Sequence, residues 1–241
     1  HTRYIGDWSS DVCSSDLLSR LIKVKHFIFA STSSVYGLNK KLPFEESDPV
    51  NHPSQFYAAT KRSNELMAHS YSCIYGLRCT GVRFFTVYGP WGRPDMALFK
   101  FVKNALERKP IDIFNKGNHV RDFSYIDDVI KCLQKIKNKI PKKNKIINSN
   151  NPSKSLFTFQ ILNIGSQSKI KLMDYIKEVE KNLNLKINKN YLKLQKGDIP
   201  KSYSKIVNTN KLINYTFKVN YKKGVKNFIK WFLNYYKKKI D

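Results

Sequence analysis

The 241-residue sequence predicts an α/β fold with a parallel sheet. Three short, mostly apolar runs bounded by polar residues are typical of buried strands, at residues 24–30 (VKHFIFA), 77–85 (LRCTGVRFF) and 159–165 (FQILNIG). Segments with helical periodicity separate these runs. Strands that alternate with helices in this way indicate parallel pairing through crossover helices.

Turn-forming residues divide the first half of the chain. A helix is predicted from about Ser54 to Tyr75, because Gly76 then supplies a typical helix end. The stretch 86–95 (TVYGPWGRPD) is rich in glycine and proline and predicts an irregular loop. Helical periodicity returns at 96–108.

The second half continues the alternation. After Arg121 the sequence predicts a turn that enters a helix, and residues 137–155 form a polar, lysine-rich insertion that we expect to be mobile. Beyond the run at 159–165, helices are predicted to begin near Lys171 and near Lys222.

The first 17 residues do not resemble the rest of the chain. Residues 7–17 (DWSSDVCSSDL) translate, frame intact, a DNA string that resembles a common short-read sequencing adapter. We therefore expect residues 1–17 to be an artefactual tail and exclude them from fold reasoning. The remaining cysteines, Cys73, Cys79 and Cys132, are odd in number and lack metal-ligand spacing, which predicts no metal site and a reducing cytoplasm.

Composition limits the possible partners. With 41% hydrophobic and 26% charged residues the chain belongs to the globular class, and no apolar run approaches the roughly 18 residues of a membrane span. The net charge is +26, yet residues 131–241 hold 27 lysines, no arginine and five acidic residues. Phosphate-binding surfaces usually include arginine, so drift toward AT-rich codons explains the lysines better than a specific nucleic-acid partner. The alternative, a basic nucleic-acid-binding protein, requires binding that survives physiological salt.

The candidate catalytic residues are Thr32, Tyr57 and Lys61. Tyr-x-x-x-Lys occurs three times in this lysine-rich chain, at Tyr36/Lys40, Tyr57/Lys61 and Tyr235/Lys239. The middle pair stands out because a hydroxyl cluster at a strand's carboxyl end precedes it and a helix pattern runs through it, and open α/β sheets bind ligands at that end. Spacing alone does not exclude that Tyr57 is an ordinary aromatic residue, Lys61 a solvated charge and Thr32 a strand-end hydroxyl without a catalytic role.

Six sequence blocks, in family order, resemble the extended short-chain dehydrogenases of the NAD-dependent epimerase/dehydratase family. They are FIFASTSSVYG (27–37), FYAATKRSNE (56–65), VRFFTVYGPWGRPDMALFKF (82–101), VRDFSYIDDV (120–129), LNIG (162–165) and QKGDIP (195–200). The blocks are most similar to the UDP-glucuronate 4-epimerase branch. The resemblance implies a Rossmann-like doubly wound parallel sheet, represented by its C-terminal part, and a smaller α/β domain for a UDP-sugar.

The resemblance also implies the role of each site residue. Tyr57 would be the general base, Lys61 would bind the nicotinamide ribose of NAD, and Thr32 would hold the sugar hydroxyl. The other implied contacts are Ser31 and Phe84 with the cofactor, and Ser33, Ser34, Thr86, Arg93 and Arg121 with the substrate. Arg121 would bind the diphosphate, while Thr86 and Arg93 would bind a hexuronate carboxylate.

Two serines after Thr32 indicate which branch of the family the sequence resembles. Related dehydratases and decarboxylases carry acidic residues where this sequence has Ser33 and Ser34, so the resemblance implies C4 epimerisation. The alternatives are a UDP-glucose or UDP-N-acetylglucosamine 4-epimerase and a non-catalytic UDP-sugar-binding remnant.

The glycines suggest a fragment. None of the sets of three among the ten glycines fits a dinucleotide-binding fingerprint. We therefore expect residues 18–95 to be a remnant of the NAD-binding domain with its strand at 24–30 on an exposed edge, and 96–241 to be mainly the substrate domain, with 121–140 returning to the first. The chain alone would be inactive, and its full-length parent a homodimer.

Overall fold

The computed structural model describes residues 15, 17–144, 151, 153 and 155–238. Most of the predicted tail at 1–17 and part of the predicted insertion at 137–155 lie outside the described residues. Contacts divide the chain into two compact units. The first comprises residues up to Phe85, Cys132–Ile164 and Ser204–Tyr215; the second comprises Thr86–Lys131, Gly165–Tyr203 and the residues from Thr216 onward.

Ten strands and six helices are defined within the described residues. The strands are β1 (Phe27–Thr32), β2 (Cys79–Phe84), β3 (Thr86–Tyr88), β4 (Ile111–Ile113), β5 (Val120–Arg121), β6 (Phe123–Tyr125), β7 (Phe159–Ile164), β8 (Ile170–Lys171), β9 (Lys189–Tyr191) and β10 (Lys201–Ser202). The helices are α1 (Phe56–Tyr75), α2 (Ala97–Leu106), α3 (Ile126–Lys137), α4 (Leu172–Leu183), α5 (Val207–Ile213) and α6 (Tyr221–Tyr235).

The first unit contains a parallel sheet in the order β1-β2-β7, which confirms the predicted α/β class. Thr32 lies opposite Phe84, and Phe84 lies opposite Ile164, so the carboxyl ends of all three strands meet at one edge. Strand β1 is an outer strand of this sheet. Helix α1 contacts β1 and ends, as predicted, at Tyr75. Gly76 follows with the left-handed φ of 66° that glycine tolerates.

The second unit is built on an aromatic core. Phe123 and Tyr175 stack with ring centroids 3.9 Å apart, and Tyr88 meets both rings edge-on. Helices α2, α4 and α6 supply most of the apolar side chains around them. The sheets here are small: β3 pairs with β6, β4 with β9, and β5 lies between β10 and β8.

The predicted loop at 86–95 was wrong in its first part. Thr86–Tyr88 forms β3, which pairs in parallel with β6. The glycines and prolines that follow favoured a loop prediction for the whole stretch. A strand of three residues has too short a pattern to be recognised, and its partner lies about 37 residues away. Within the described part of the chain, no helix combines the length and the apolar character that crossing a membrane requires.

Candidate active site

The hydroxyl cluster after β1 forms a compact turn. The Thr32 hydroxyl accepts a hydrogen bond from the Ser34 backbone N–H at 3.2 Å and donates to the Ser34 hydroxyl at 3.3 Å. It thereby caps the 3-10 turn of Ser33–Tyr36. Thr32 is largely buried, so its side chain is held in place at the carboxyl end of the sheet.

Helix α1 carries the other two predicted catalytic residues. Tyr57 lies in the first turn and is 49% exposed, whereas Lys61, one turn later, is 6% exposed. The Lys61 ammonium donates to the Ala30 backbone carbonyl at 3.2 Å, which ties the helix to the end of β1. Burial lowers the pKa of Lys61. An accessible phenol thus lies one helical turn from a buried ammonium.

A buried ion pair holds this helix against the sheet. The Arg83 guanidinium on β2 donates from Nε and Nη2 to the two carboxylate oxygens of Glu65, each at 2.8 Å. Burial raises the pKa of the Glu65 carboxyl, but the charge and hydrogen bonds of Arg83 outweigh this and leave the pKa below its usual value. The Ser31 hydroxyl also donates to Glu65 at 2.6 Å. Ser31 therefore links the carboxyl end of β1 to the same pair.

The network continues beneath the hydroxyl turn. Arg83 donates to the Tyr36 phenol, which donates to Asn163 on β7 at 2.7 Å. The Asn163 backbone N–H donates to Glu46 at 3.1 Å, and burial raises the pKa of that carboxyl. The three strands of the sheet are therefore joined at their carboxyl ends by hydrogen bonds between buried polar side chains.

In the second unit, Arg93 lies in the loop between β3 and α2 and is exposed. Its Nε and Nη2 donate to the two carboxylate oxygens of Asp95 at 3.1 and 2.8 Å. Earlier in the loop, Trp91 has a positive φ of 62° and packs against Trp231 and Tyr235, with ring centroids 5.3 and 4.8 Å away. The loop that carries Arg93 is thus anchored on α6.

Arg121 is the second arginine of this unit. Its Nη2 donates to the Asp198 carboxylate at 3.1 Å, and Asp198 also meets the buried His119 ring at 2.9 Å. Burial lowers the pKa of Arg121 and Asp198 opposes this shift. Burial and then Arg121 lower the pKa of His119, again opposed by Asp198. Thr86 is half-buried at the start of β3, where its backbone N–H donates to the Asp122 carbonyl.

The predicted site residues therefore fall on both units. The first unit holds Ser31, Thr32, Ser33, Ser34, Tyr57, Lys61 and Phe84, and the second holds Thr86, Arg93 and Arg121. Sequence reasoning missed the charged partners, namely Glu65, Arg83, Asp198, Asp95 and His119. Glu65, Arg83, Asp95 and Asp198 stand inside the quoted blocks, which was the available signal. Among the described residues no group of three His, Cys, Asp or Glu side chains could hold a metal ion.

A family comparison decides the relationship. The profile described as the NAD dependent epimerase/dehydratase family matches residues 14–148, more than half of the chain. The chain belongs to this family.

Individual relatives are more specific. The chain is 48% identical over 217 residues to an uncharacterized 37.6 kDa protein of Escherichia coli O111:H-, covering 89% of this chain and 65% of that protein. It is 39% identical to a probable UDP-glucuronate 4-epimerase of Rhizobium meliloti, covering 92% of this chain and 66% of the relative. The chain thus spans just under two thirds of the length of these relatives.

Solved structures confirm the predicted fold class. A UDP-glucuronic acid 4-epimerase from Bacillus cereus, in complex with UDP-glucuronic acid and NAD, superposes with a TM-score of 0.78 at 31% identity. The match covers 90% of this chain and 64% of the Bacillus cereus chain.

Proposed function

We propose that the whole protein is an NAD-dependent 4-epimerase of UDP-sugars and that UDP-glucuronate is its substrate. The observation that carries the proposal is the arrangement at the end of β1. A half-exposed phenol, Tyr57, lies one helical turn from the buried Lys61 ammonium. That ammonium donates a hydrogen bond to the strand that ends at Thr32, whose hydroxyl caps the next turn. The family membership and the names of the relatives support the same reaction.

The residues of the first unit fit the nicotinamide end of NAD. A buried ammonium at the carboxyl end of a parallel strand suits the hydroxyls of a ribose, and Lys61 would hold them. Phe84, which ends β2, would lie beside the ring, while Ser31 would act through its bond to Glu65. When bound, NAD supplies an acceptor and donor of hydride for C4 of the sugar. The glycines for the pyrophosphate are not in this sequence.

The proton transfer falls to Tyr57. The phenolate would take the proton of the sugar 4-hydroxyl as hydride leaves C4, and return it when the opposite face has been reduced. The Lys61 ammonium would stabilise the negative charge on the phenol oxygen during this transfer. The Thr32 hydroxyl, fixed by Ser34, would hold the same sugar oxygen in line.

The choice of sugar and reaction rests on other residues. Ser33 and Ser34 offer no carboxylate for elimination or decarboxylation, which favours epimerisation. Arg93 would bind the hexuronate carboxylate together with Thr86, because a guanidinium fork binds a carboxylate through two parallel hydrogen bonds. The substrate would displace the exposed Asp95 carboxylate, which occupies both donors of this fork in the structure. Arg121 would bind the diphosphate.

Turnover tests the proposal. The chain would be joined to the part of the Bacillus cereus relative that it does not cover, and given UDP-glucuronate and NAD in heavy water. We expect UDP-galacturonate without deuterium at C4, because a hydride that leaves and returns does not exchange with solvent. No conversion, or deuterium bound to C4 of the product, would rule the mechanism out. UDP binding without conversion would favour a binding protein instead.

We further propose that the whole protein is a cytoplasmic homodimer. Helix α1 exposes Phe56, Leu66 and Ile74 within one face, which supports an interface between two copies. Beyond residue 17 the sequence holds an odd number of cysteines, Cys73, Cys79 and Cys132, which supports a reducing compartment. Light scattering of the joined protein would test the dimer, and a Leu66→Lys variant should then be monomeric.

A further inference from the structure

The Arg121 guanidinium is held by the chain itself. Its Nη1 donates to the Pro200 carbonyl at 3.0 Å and to the Val120 carbonyl at 3.3 Å, and its Nη2 donates to Asp198 at 3.1 Å. Only 21% of the side chain is exposed. Among the described residues Nε has no acceptor, so this donor remains available to a ligand.

Asp198 is fixed as firmly as the arginine that it contacts. One carboxylate oxygen, Oδ1, accepts from the Ile199 backbone N–H at 2.8 Å as well as from Arg121. The other oxygen, Oδ2, lies 2.9 Å from Nε2 of His119, whose ring is buried. Both oxygens of this carboxylate are therefore engaged, and one of them orients Arg121.

The local sequence explains how Asp198 arrives there. Residues 195–198 form a turn in which the Asp198 N–H donates to the Gln195 carbonyl, and Gly197 at the third position has a positive φ of 81°. A glycine is preferred at that position of such a turn. The chain then enters β10, which pairs in parallel with β5 and brings Asp198 alongside Arg121 from 77 residues away.

We propose that Asp198 is a positioning residue for the diphosphate of the substrate: it aims the Arg121 guanidinium, and His119 holds the second oxygen of its carboxylate. This inference rests on the proposed function, in which Arg121 binds the diphosphate. A free arginine side chain loses much rotational freedom when it binds, and a guanidinium already fixed by Asp198 and two carbonyls has lost it beforehand. The carboxylate also repels a phosphate. That repulsion is weak at a partly exposed site, whereas the loss of orientation affects every hydrogen bond of the fork.

Two substitutions separate orientation from charge. Asp198→Asn keeps an oxygen that can accept from Arg121 and removes the negative charge, whereas Asp198→Ala removes both. Asp112→Asn is the matched control, because Asp112 is an exposed acceptor for Asn190 in the same unit. Melting temperatures report whether each variant folds.

The experiment is an NMR titration of the chain and its variants with UDP and with uridine. We expect Asp198→Ala to weaken UDP binding about tenfold and to leave uridine binding within about twofold, whereas Asp198→Asn and Asp112→Asn stay within about threefold of the parent for UDP. Unchanged or tighter UDP binding in Asp198→Ala, or an equal loss for UDP and uridine, overturns the positioning role. Arg121→Ala tests the underlying assignment: if it binds UDP as the parent does, or if the parent binds no UDP, the proposed diphosphate contact itself is wrong.

Discussion

The Arg83 guanidinium and the Glu65 carboxylate form a two-point ion pair in which both side chains are 1% exposed. The pair joins β2 to the middle of α1, one turn after Lys61. Glu65 also accepts a hydrogen bond from the Ser31 hydroxyl on β1, and Arg83 donates one to the Tyr36 phenol. The helix that carries the proposed base is thus connected to two strands through one buried carboxylate.

Removing the charge of Glu65 should destabilise the first unit strongly. In Glu65→Gln the buried Arg83 loses its counter-ion, and breaking such a pair by changing one partner costs about 3–5 kcal/mol. Urea unfolding measures the loss. The control is Glu107→Gln, which breaks the exposed Glu107–Lys109 pair and should change the free energy of unfolding by less than about 0.5 kcal/mol. Equal effects of the two variants would show that burial of the pair has no consequence.

Loss of the Tyr57 hydroxyl should abolish epimerisation without abolishing binding. Tyr57→Phe in the joined enzyme should lower kcat by at least about 100-fold, because general base catalysis contributes that much or more. The control is Tyr235→Phe. Tyr235 belongs to another Tyr-x-x-x-Lys motif, and its side chain is 53% exposed at the end of α6. Chromatography of the UDP-sugars measures both rates. A Tyr57→Phe enzyme that keeps more than a tenth of the parental kcat would refute the assignment.

Arg93 should decide between acidic and neutral sugars. In Arg93→Ala a charge-assisted fork is lost, and we expect kcat/KM for UDP-glucuronate to fall about 10- to 100-fold with much less change for UDP-glucose. Arg108→Ala is the control, because Arg108 is an exposed arginine of the same unit. Equal losses for the two sugars in Arg93→Ala would contradict the carboxylate contact.

The Tyr88 hydroxyl should lower the stability of the second unit. Tyr88 is 7% exposed, and within the described part of the chain its hydroxyl has no hydrogen-bond partner. A buried hydroxyl without a partner costs about 1–3 kcal/mol, so Tyr88→Phe should leave the unit equally stable or more stable, by up to about 1 kcal/mol. Calorimetric melting measures the change. The matched Tyr36→Phe variant, which removes a hydroxyl bonded to Asn163 and Arg83, should instead be less stable.

The long elements were predictable because each carries its own local pattern. The runs at 24–30 and 159–165 correspond to β1 and β7, and the predicted starts near Lys171 and Lys222 correspond to α4 and α6. Strands of two or three residues such as β5 and β10 were not predicted. Their apolar pattern is too short to show a period, and they exist because a partner far along the chain supplies the hydrogen bonds.

The same reasoning applies to the site. Tyr57 and Lys61 are four residues apart and their relationship is visible in the sequence, as is the glycine that ends their helix. Asp198 and Arg121 are 77 residues apart, and no local signal connects them. The family resemblance indicated a role for Arg121, but only the structure showed that Asp198 is the carboxylate that contacts it.

Acid should unfold the protein in part through His26. Its Nδ1 lies 3.0 Å from the Lys137 carbonyl and its Nε2 lies 2.7 Å from the Thr80 hydroxyl, which accepts from Gln160. Nδ1–H therefore donates to the carbonyl, and Nε2 accepts from Thr80 in the neutral ring. Burial lowers the pKa of His26, opposed by the Lys137 carbonyl. The folded protein thus holds this ring neutral at pH values where the unfolded chain protonates it.

The sign of the effect follows from that difference. A folded-state pKa below the unfolded value of about 6.5 gives stability that is complete above pH 6.5 and is lost as the pH falls toward the folded pKa. His26→Gln should therefore lose less stability than the parent between pH 7 and pH 5, as measured by urea unfolding at each pH. The control is His52→Gln, since His52 is exposed. The raised pKa of Glu46 acts in the opposite sense but equally in all three proteins, so it cancels in the comparison. A His26→Gln profile parallel to the parent would show that this histidine does not couple folding to pH.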